Sequence, residues 1–429
     1  MASIQKRGNT YFIAVSMKSD IYGKRLRETT TFVPEKVLSE KKQRKAAEEY
    51  AVLFENRVKN GLVLDGRKTS LKEFTDRWFA EYAAQHLQPR TLESYKAELT
   101  EKILPILGHL NLTDLRPSNL NAFFVSLGKD GARKDGKPGG YSRNSITKTR
   151  NVLSAVLRTA TEWELVEHNP LENVRIQAKP TAEKLKFFTP EQAATFLDYI
   201  EQPYTVKITG HKRTDDTGKP YTVANYESKR IMPEQLRVLF ILAIYTGLRK
   251  GELLALEWQD IDFENNTVTV SKSVSVVAGQ QITKEPKTKN SFRSVAIPRF
   301  LTKRIQEMKA ARARYRLSLG DYWQGGNWLF IQDNGKQMCY STPYSAFQDA
   351  IARYNAGKKP ADQLPVIPFH GLRHTSATLL IASHQDVRTV SSRLGHAQAS
   401  TTMNIYAHQL KETDKKASEA LEDMLIKHA

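Results

Sequence analysis

The sequence predicts a multidomain α+β chain, built from a small β-sheet-plus-helix unit, an all-α unit, and a mainly α unit with a small antiparallel sheet. Three observations lead there. The chain has 429 residues, which at roughly 150 residues per domain corresponds to about three domains. Hydrophobic residues make up 40% and aromatics 9%, enough for real cores, so wholesale disorder is excluded. The hydrophobic period also changes along the chain, from strand-like at the start to helical in the middle and mixed towards the end.

Residues 1–63 hold short β-type runs at Tyr11–Ser16 and Thr29–Val33, separated by the turn-rich, basic Lys18–Arg27. Ala47, Tyr50, Phe54 and Val58 then recur at helical spacing, and Lys59-Asn60-Gly61 supplies a stop. Lys6, Arg7, Lys24, Arg25 and Arg27, with Lys41, Lys42, Arg44 and Lys45, make this unit basic. A solvated hairpin and helix face explain that charge as well as DNA contact does.

Residues 64–175 form the all-α unit. Ser70-Leu71-Lys72-Glu73 is a capping box, and Leu71, Phe74, Trp78 and Tyr82 continue it as one apolar stripe. Further helices are predicted at Thr91–Glu101, Pro117–Leu127 and Ser142–Glu164. Between the last two, GKDGARKDGKPGGY reads as a mobile solvated connector. Asn169-Pro170 ends the helical run, and 171–186 reads as a basic linker.

Residues 187–429 form the third unit. Thr189 caps a helix with Pro190 at its first position and Gln192 closing the box. Residues 201–232 are polar and read as a surface insertion, and a helix at 233–246 follows. Runs at Thr267–Val277, Gln281–Thr283 and Arg293–Ile297 predict a small antiparallel sheet, with helices at 299–316, 341–354, 370–382, 386–393 and 410–427.

Charge narrows the function. The net charge is +19 and the pI about 9.7, which points to a polyanionic partner. No run approaches the roughly 20 apolar residues of a membrane span, and mean hydropathy is −0.51. The N-terminus lacks the apolar core and cleavage site of a secretory signal. One cysteine, Cys339, excludes an internal disulfide framework and a Cys-based zinc site. The expectation is a cytoplasmic nucleic-acid-binding protein with no membrane partner.

Four C-terminal pieces stand out: TGLRKGELLALEW (246–258), PKTKNSFRSVAIP (286–298), HGLRHTSATLL (370–380) and LGHAQASTTMNIYAH (394–408). Each alone has an ordinary explanation. Arg249 pairs with Glu252, His370 and His374 share a helix face, Gly395 stops a helix, and Tyr406 is a core tyrosine. No acidic or cysteine cluster accompanies the two histidines, so they do not make a metal site.

Together, in this order, the pieces resemble the catalytic domain of the tyrosine recombinase (phage integrase) family, in its lambda-integrase and conjugative-transposon branch. The resemblance covers most of 187–410. It implies a site made of Arg249, the hairpin lysine, His370, Arg373, His396 and, ten residues further on, the nucleophile Tyr406. Counting back from Arg293 puts Lys289 at the hairpin turn, Lys287 takes its place in a shifted register, and Lys284 is a third candidate. The resemblance further implies that 1–63 is an arm-type DNA-binding domain and 64–175 a core-binding domain.

The chemistry suits these residues. A phenol attacks a phosphodiester and is later displaced, so bond energy is kept in a 3′-phosphotyrosine. Two guanidinium forks grip the phosphate oxygens as charge builds. The family assigns the leaving oxygen's proton to the lysine, proton movement to His370 and a phosphate hydrogen bond to His396. No metal, nucleotide or other cofactor is required. The implied partners are double-stranded core and arm attachment sites, three further protomers in a tetramer passing through a Holliday junction, an excisionase and a host DNA-bending protein. A resolvase or invertase of the same family, a type IB topoisomerase and a non-catalytic DNA-binding regulator are the competing readings.

Overall fold

In the computed structural model the described residues are 2–19, 25–34, 40–59, 69–176, 186–285 except 211, 215, 217 and 223, 292–395, and the single positions 403, 422 and 425. The chain divides into two compact units, Met1–Ala182 and Glu183–Ala429.

The first unit opens with an antiparallel sheet, β1 (Ser3–Arg7), β2 (Thr10–Ser19) and β3 (Arg25–Phe32), in the order β1-β2-β3. Alternation in β2 turns Tyr11, Ile13 and Val15 inward, and helix α1 (Glu40–Lys59) packs Ala51 and Phe54 on Ile13 and Val15. Strand β1 was not expected. Every one of its residues is exposed, so nothing in its own pattern marks it, and its pairing to β2 alone makes it a strand.

The helical part runs α2 (Leu71–Trp78), a π turn at Phe79–Ala83, α3 (Ala84–His86), α4 (Pro89–Glu98), a π turn at Leu99–Ile103, α5 (Leu104–Leu107), α6 (Pro117–Leu127) and α7 (Arg143–Glu162). The capping box forms: the Glu73 N–H donates to Ser70 Oγ at 3.2 Å and the Ser70 N–H to Glu73 Oε2 at 2.8 Å. The helix expected at Thr91–Glu101 runs on past a widened turn. Pro105 lacks an N–H and would clash with the preceding turn, and the π register before it accommodates both problems. Phe74, Trp78, Leu99, Ile103, Leu153 and Val156 make the buried centre. The connector at 128–141, expected to be mobile, is cross-tied instead. Asp130 Oδ1 accepts from Gly131 and Gly139 N–H at 3.1 and 2.6 Å, and Tyr141 N–H donates to Leu127 O at 2.9 Å.

The second unit begins with α8 (Pro190–Glu201), capped by Thr189 as expected. The polar insertion is a two-stranded ribbon, β4 (Tyr204–Ile208) on β7 (Tyr226–Arg230), with a smaller hairpin of β5 (Lys212–Thr214) and β6 (Pro220–Thr222) between them. Helix α9 (Glu234–Thr246) is buried along Val238–Ile244, the signature of a central helix rather than a surface one. After the short α10 (Lys250–Leu254) come β8 (Ile261–Asp262), β9 (Thr267–Val270), β10 (Ser273–Val277), β11 (Gln280–Lys284) and β12 (Arg293–Ala296). They form a three-stranded sheet in the order β12-β9-β8 and a separate β10-β11 hairpin. The run read as one strand at Thr267–Val277 thus serves two sheets. Helices α11 (Arg299–Leu319), α12 (Thr342–Asn355), α13 (Gly371–Ala382) and α14 (Val387–Leu394) complete the unit around Phe188, Phe196, Phe240, Phe347 and Phe369. The helix expected at 410–427 lies outside the described residues.

Candidate active site

The site grows from the corner between α9 and α10. Gly247 ends α9 with φ 65°, a left-handed value that a side chain rarely adopts, and a Cβ there would come within 2.4 Å of Leu394 Cδ2. The sharp turn this permits puts Arg249 at the head of α10. Its N–H donates to Glu252 Oε2 and its Nη1 to Glu252 Oε1, both at 2.9 Å. Arg293, at the start of β12, grips the same carboxylate through Nη2 at 2.8 Å and donates from Nε to the Arg393 carbonyl at 2.8 Å. Burial pushes the Glu252 carboxyl up, but Arg293 and then Arg249 outweigh it and hold the group below its ordinary value.

Arg373 comes from α13 and is only 3% exposed. Its Nη1 donates to the Gly247 carbonyl at 2.8 Å, so a second guanidinium is tied to the corner that holds Arg249. His370 sits at the head of α13, its ring 5.0 Å from that of His374 and nearly perpendicular to it. The residue is exposed overall and borders the cleft beside Arg249. Desolvation first, then the neighbouring His374, Arg373 and Arg249, push its pKa down to about 4 against the opposing pull of Glu252. At neutral pH it is therefore an uncharged imidazole, able to accept a proton.

Two chain segments lead from this corner to the remaining expected residues. Lys284, at the end of β11, stands opposite Ser273 in the hairpin register, and Ser273 borders the cleft beside Arg249. Lys287 and Lys289, which follow it, lie outside the described residues. Gly395 ends α14 with φ 70°, and its carbonyl is 3.5 Å from Arg249 Nη2. His396 and Tyr406, beyond it, also lie outside the described residues.

The structure thus brings Arg249, His370 and Arg373 to one place. It adds two residues that sequence reasoning did not place in the site. In the sequence Arg293 is only a landmark for placing the lysines, yet in the fold it fixes Glu252 and through it Arg249. Arg393 donates from Nη2 to the carbonyls of Tyr245 and Ala296, both at 2.8 Å, and so ties α14 to α9 and β12. An arginine closing the SFR run and one just before Leu-Gly were the available signals, and neither implies a partner so far away in sequence.

As chemistry, the corner offers two guanidinium forks, one buried carboxylate that orients one of them, and a neutral imidazole. That set suits a tetrahedral or trigonal-bipyramidal oxyanion such as a phosphodiester in displacement.

Comparison with known proteins agrees. The sequence pattern of the Phage integrase family matches residues 207–413, and that of the phage integrase N-terminal SAM-like domain matches residues 70–127. A tyrosine recombinase XerC-like protein of Caldanaerobacter subterraneus subsp. tengcongensis is 27% identical over 434 aligned positions, covering 98% of each chain. The ICEBs1 integrase of Bacillus subtilis is 29% identical over 286 positions, 67% of this chain and 67% of that protein. The solved Tn1549 transposon integrase in complex with transposon right end DNA shares the fold, with a TM-score of 0.61 at 19% identity over 82% of this chain and 100% of that one.

Proposed function

We propose a mechanism and a role for a chain that belongs to the phage integrase family of tyrosine recombinases, enzymes of site-specific DNA recombination. The protein binds a specific duplex site, cuts one strand through a 3′-phosphotyrosine and rejoins it to another, so that a mobile genetic element enters or leaves a chromosome. The observation that carries the reading is the convergence of Arg249 and Arg373 on the α9–α10 corner beside a neutral His370.

In this mechanism Tyr406 attacks the scissile phosphate. Arg249 and Arg373 take up the charge that develops on the non-bridging oxygens, and His396 adds a hydrogen bond. Lys289, or Lys287 in the shifted register, protonates the departing 5′-oxygen, and His370 accepts a proton during the exchange. A 5′-hydroxyl from another strand then attacks the phosphotyrosine and restores the phosphodiester, with no hydrolysis and no cofactor.

The domain roles follow. Residues 1–63 bind arm sites, 64–175 and 187–429 each contact the core site, and four protomers exchange strands through a Holliday junction. Phosphate contacts supply affinity and a few base contacts supply specificity. An excisionase and a host DNA-bending protein set the direction. Among the described residues no helix is long and apolar enough to cross a membrane. We place the protein in the cytoplasm, where its DNA is.

The test is covalent trapping. A nicked duplex carrying the core site, recovered by selecting bound sequences from a random pool, is incubated with wild type and with Tyr406→Phe. A denaturation-resistant adduct in the wild type and none in the variant supports the mechanism. An adduct on any sequence equally would make the protein a topoisomerase, and no adduct on DNA that is demonstrably bound would make it a regulator. Lys289→Ala and Lys287→Ala on the same duplex identify the lysine, because only the proton donor's loss is rescued by a 5′-phosphorothiolate leaving group, which departs without a proton.

A further inference from the structure

The three residues that end α14 each meet a different neighbour. Arg393 Nη2 donates to the Tyr245 carbonyl in the last turn of α9 and to the Ala296 carbonyl at the end of β12. Leu394 is fully buried and fills the space at Gly247 that a side chain there would need. Gly395 lies against Arg293, whose Nη1 would be 2.8 Å from a Cβ at that position. The grip is also returned, because Arg293 Nε donates to the Arg393 carbonyl at 2.8 Å.

An arginine is a costly residue for this place. Its Nε is buried with no hydrogen-bond partner among the described residues, and burial pushes its pKa down with no acid to offset it. Only the carbonyl end of α9 favours the cation there. An apolar side chain of the same length would fill the space without that cost. What it could not supply is direction. Two hydrogen bonds from one nitrogen fix the end of α14 to a helix and a strand at once, whereas apolar packing is non-directional.

The chain that leaves Gly395 carries His396 and, ten residues further on, Tyr406. We propose that Arg393 is a positioning residue for the nucleophile: it pins the point from which that chain starts, relative to Arg249 and Arg373. The inference rests on the recombinase reading and adds a role confined to one step. Before cleavage only the polypeptide keeps the phenol near the phosphate, so the anchor limits how often attack geometry is reached. Afterwards the phosphotyrosine bond itself holds the two together, and the anchor is redundant. Loss of Arg393 therefore slows cleavage and spares ligation. The ordinary alternative is that Arg393 only stabilises the second unit, which favours neither step.

The experiment times the two steps separately on the trapping duplex. Arg393→Met keeps the length and loses the donors. It should form adduct about tenfold more slowly at saturating DNA, with the half-saturating concentration unchanged. The accumulated adduct is then given a complementary strand with a 5′-hydroxyl, and ligation should run at the wild-type rate. Arg393→Lys keeps an ammonium for the carbonyls and should recover most of the cleavage rate, which packing alone would not produce. Glu252→Gln provides the contrast: it loosens the grip on the phosphate and should slow both steps. Should Arg393→Met not fold, Arg393→Gln carries the same expected asymmetry. Equal slowing of cleavage and ligation would overturn the inference, as would no slowing of cleavage. Failure of the wild type to form any adduct would instead sink the recombinase reading, and that control separates the two failures.

Discussion

Two buried glutamates, one in each unit, are built alike and do different work. Glu98 accepts from Lys102 Nζ and Thr149 Oγ1 at 2.9 Å each, and pairs with Lys148 at 3.0 Å. Glu252 accepts from Arg249 at 2.9 Å and Arg293 at 2.8 Å. In both, burial pushes the carboxyl up and the paired cations more than offset it. The difference lies in what the cations do next. Lys102 is nearly buried, donates also to Ser145 and lies 4.5 Å over the Tyr141 ring, so its three donors serve the packing of α4 against α7. Arg249 keeps 40% of its side chain exposed and borders a cleft. An ammonium held this way closes a network. A guanidinium has five donors in a fixed fork, so one edge can be fixed by a carboxylate while the other faces a substrate.

The largest effect should come from opening the closed network. Glu98→Ala leaves Lys102 buried without its carboxylate, which costs about 3–5 kcal/mol. Denaturant unfolding should register that loss, while the rate of adduct formation per folded molecule stays near wild type. If the folded Glu98→Ala protein stopped cleaving DNA, Glu98 would belong to the chemistry and the contrast between the two glutamates would collapse.

Glu252→Gln sharpens the contrast from the other side. The amide keeps the shape but loses the charge that orients Arg249 and compensates Arg293, which is only 7% exposed in its side chain. A charged hydrogen bond of this kind is worth about 1.5–3 kcal/mol. Cleavage should therefore fall by roughly 10- to 100-fold, with DNA affinity in a gel-shift assay little changed. Arg293→Lys should resemble it, because one ammonium cannot serve both the carboxylate and the Arg393 carbonyl. A variant that binds and cleaves like wild type would show that Glu252 is another Glu98.

These two sites also mark how far the sequence could be read. Capping boxes at Ser70 and Thr189, the helix at Pro117–Leu127 and the glycine stop at Gly395 were legible because each depends on residues a few positions apart. Arg249, His370 and Arg373 were legible only through family resemblance, since no local rule distinguishes them from surface cations. Strands β1 and β7 were not legible, because their strand character comes from pairing and not from apolar alternation, while the short alternation of Tyr204, Val206 and Ile208 in β4 is lost in the polar surroundings of the insertion. The tie from Arg293 to Glu252 spans 41 residues, and Glu98 reaches Thr149 across 51. Such partners are chosen by the fold, and neither residue carries a mark of the other.

The smallest predicted effect is a difference in acid sensitivity between the units. Glu98 and Glu252 lie below the ordinary carboxyl value of 4.5, so the stability they contribute is full above it and is lost as pH falls further. His370 acts earlier and has the same sign. Its folded pKa of about 4 lies under the ordinary 6.5, so between those values the unfolded chain binds a proton that the folded one does not. Stability of the second unit should thus begin to fall near pH 6.5, while the contribution of Glu98 to the first unit holds until about 4.5. Hydrogen exchange of the full chain, followed peptide by peptide from pH 7 to 5, should show protection weakening first around α9 and α13. His370→Asn should reduce that decline without touching the helical unit, leaving the share of His374, which burial and Arg373 also hold below its ordinary value. The cleavage rate should meanwhile show no step from His370 between pH 6 and 8, because its imidazole is already neutral there. An equal decline in the variant would mean that His370 binds its proton equally well in the folded and unfolded chain, and the depression by burial, His374, Arg373 and Arg249 that keeps it neutral in the site would be refuted.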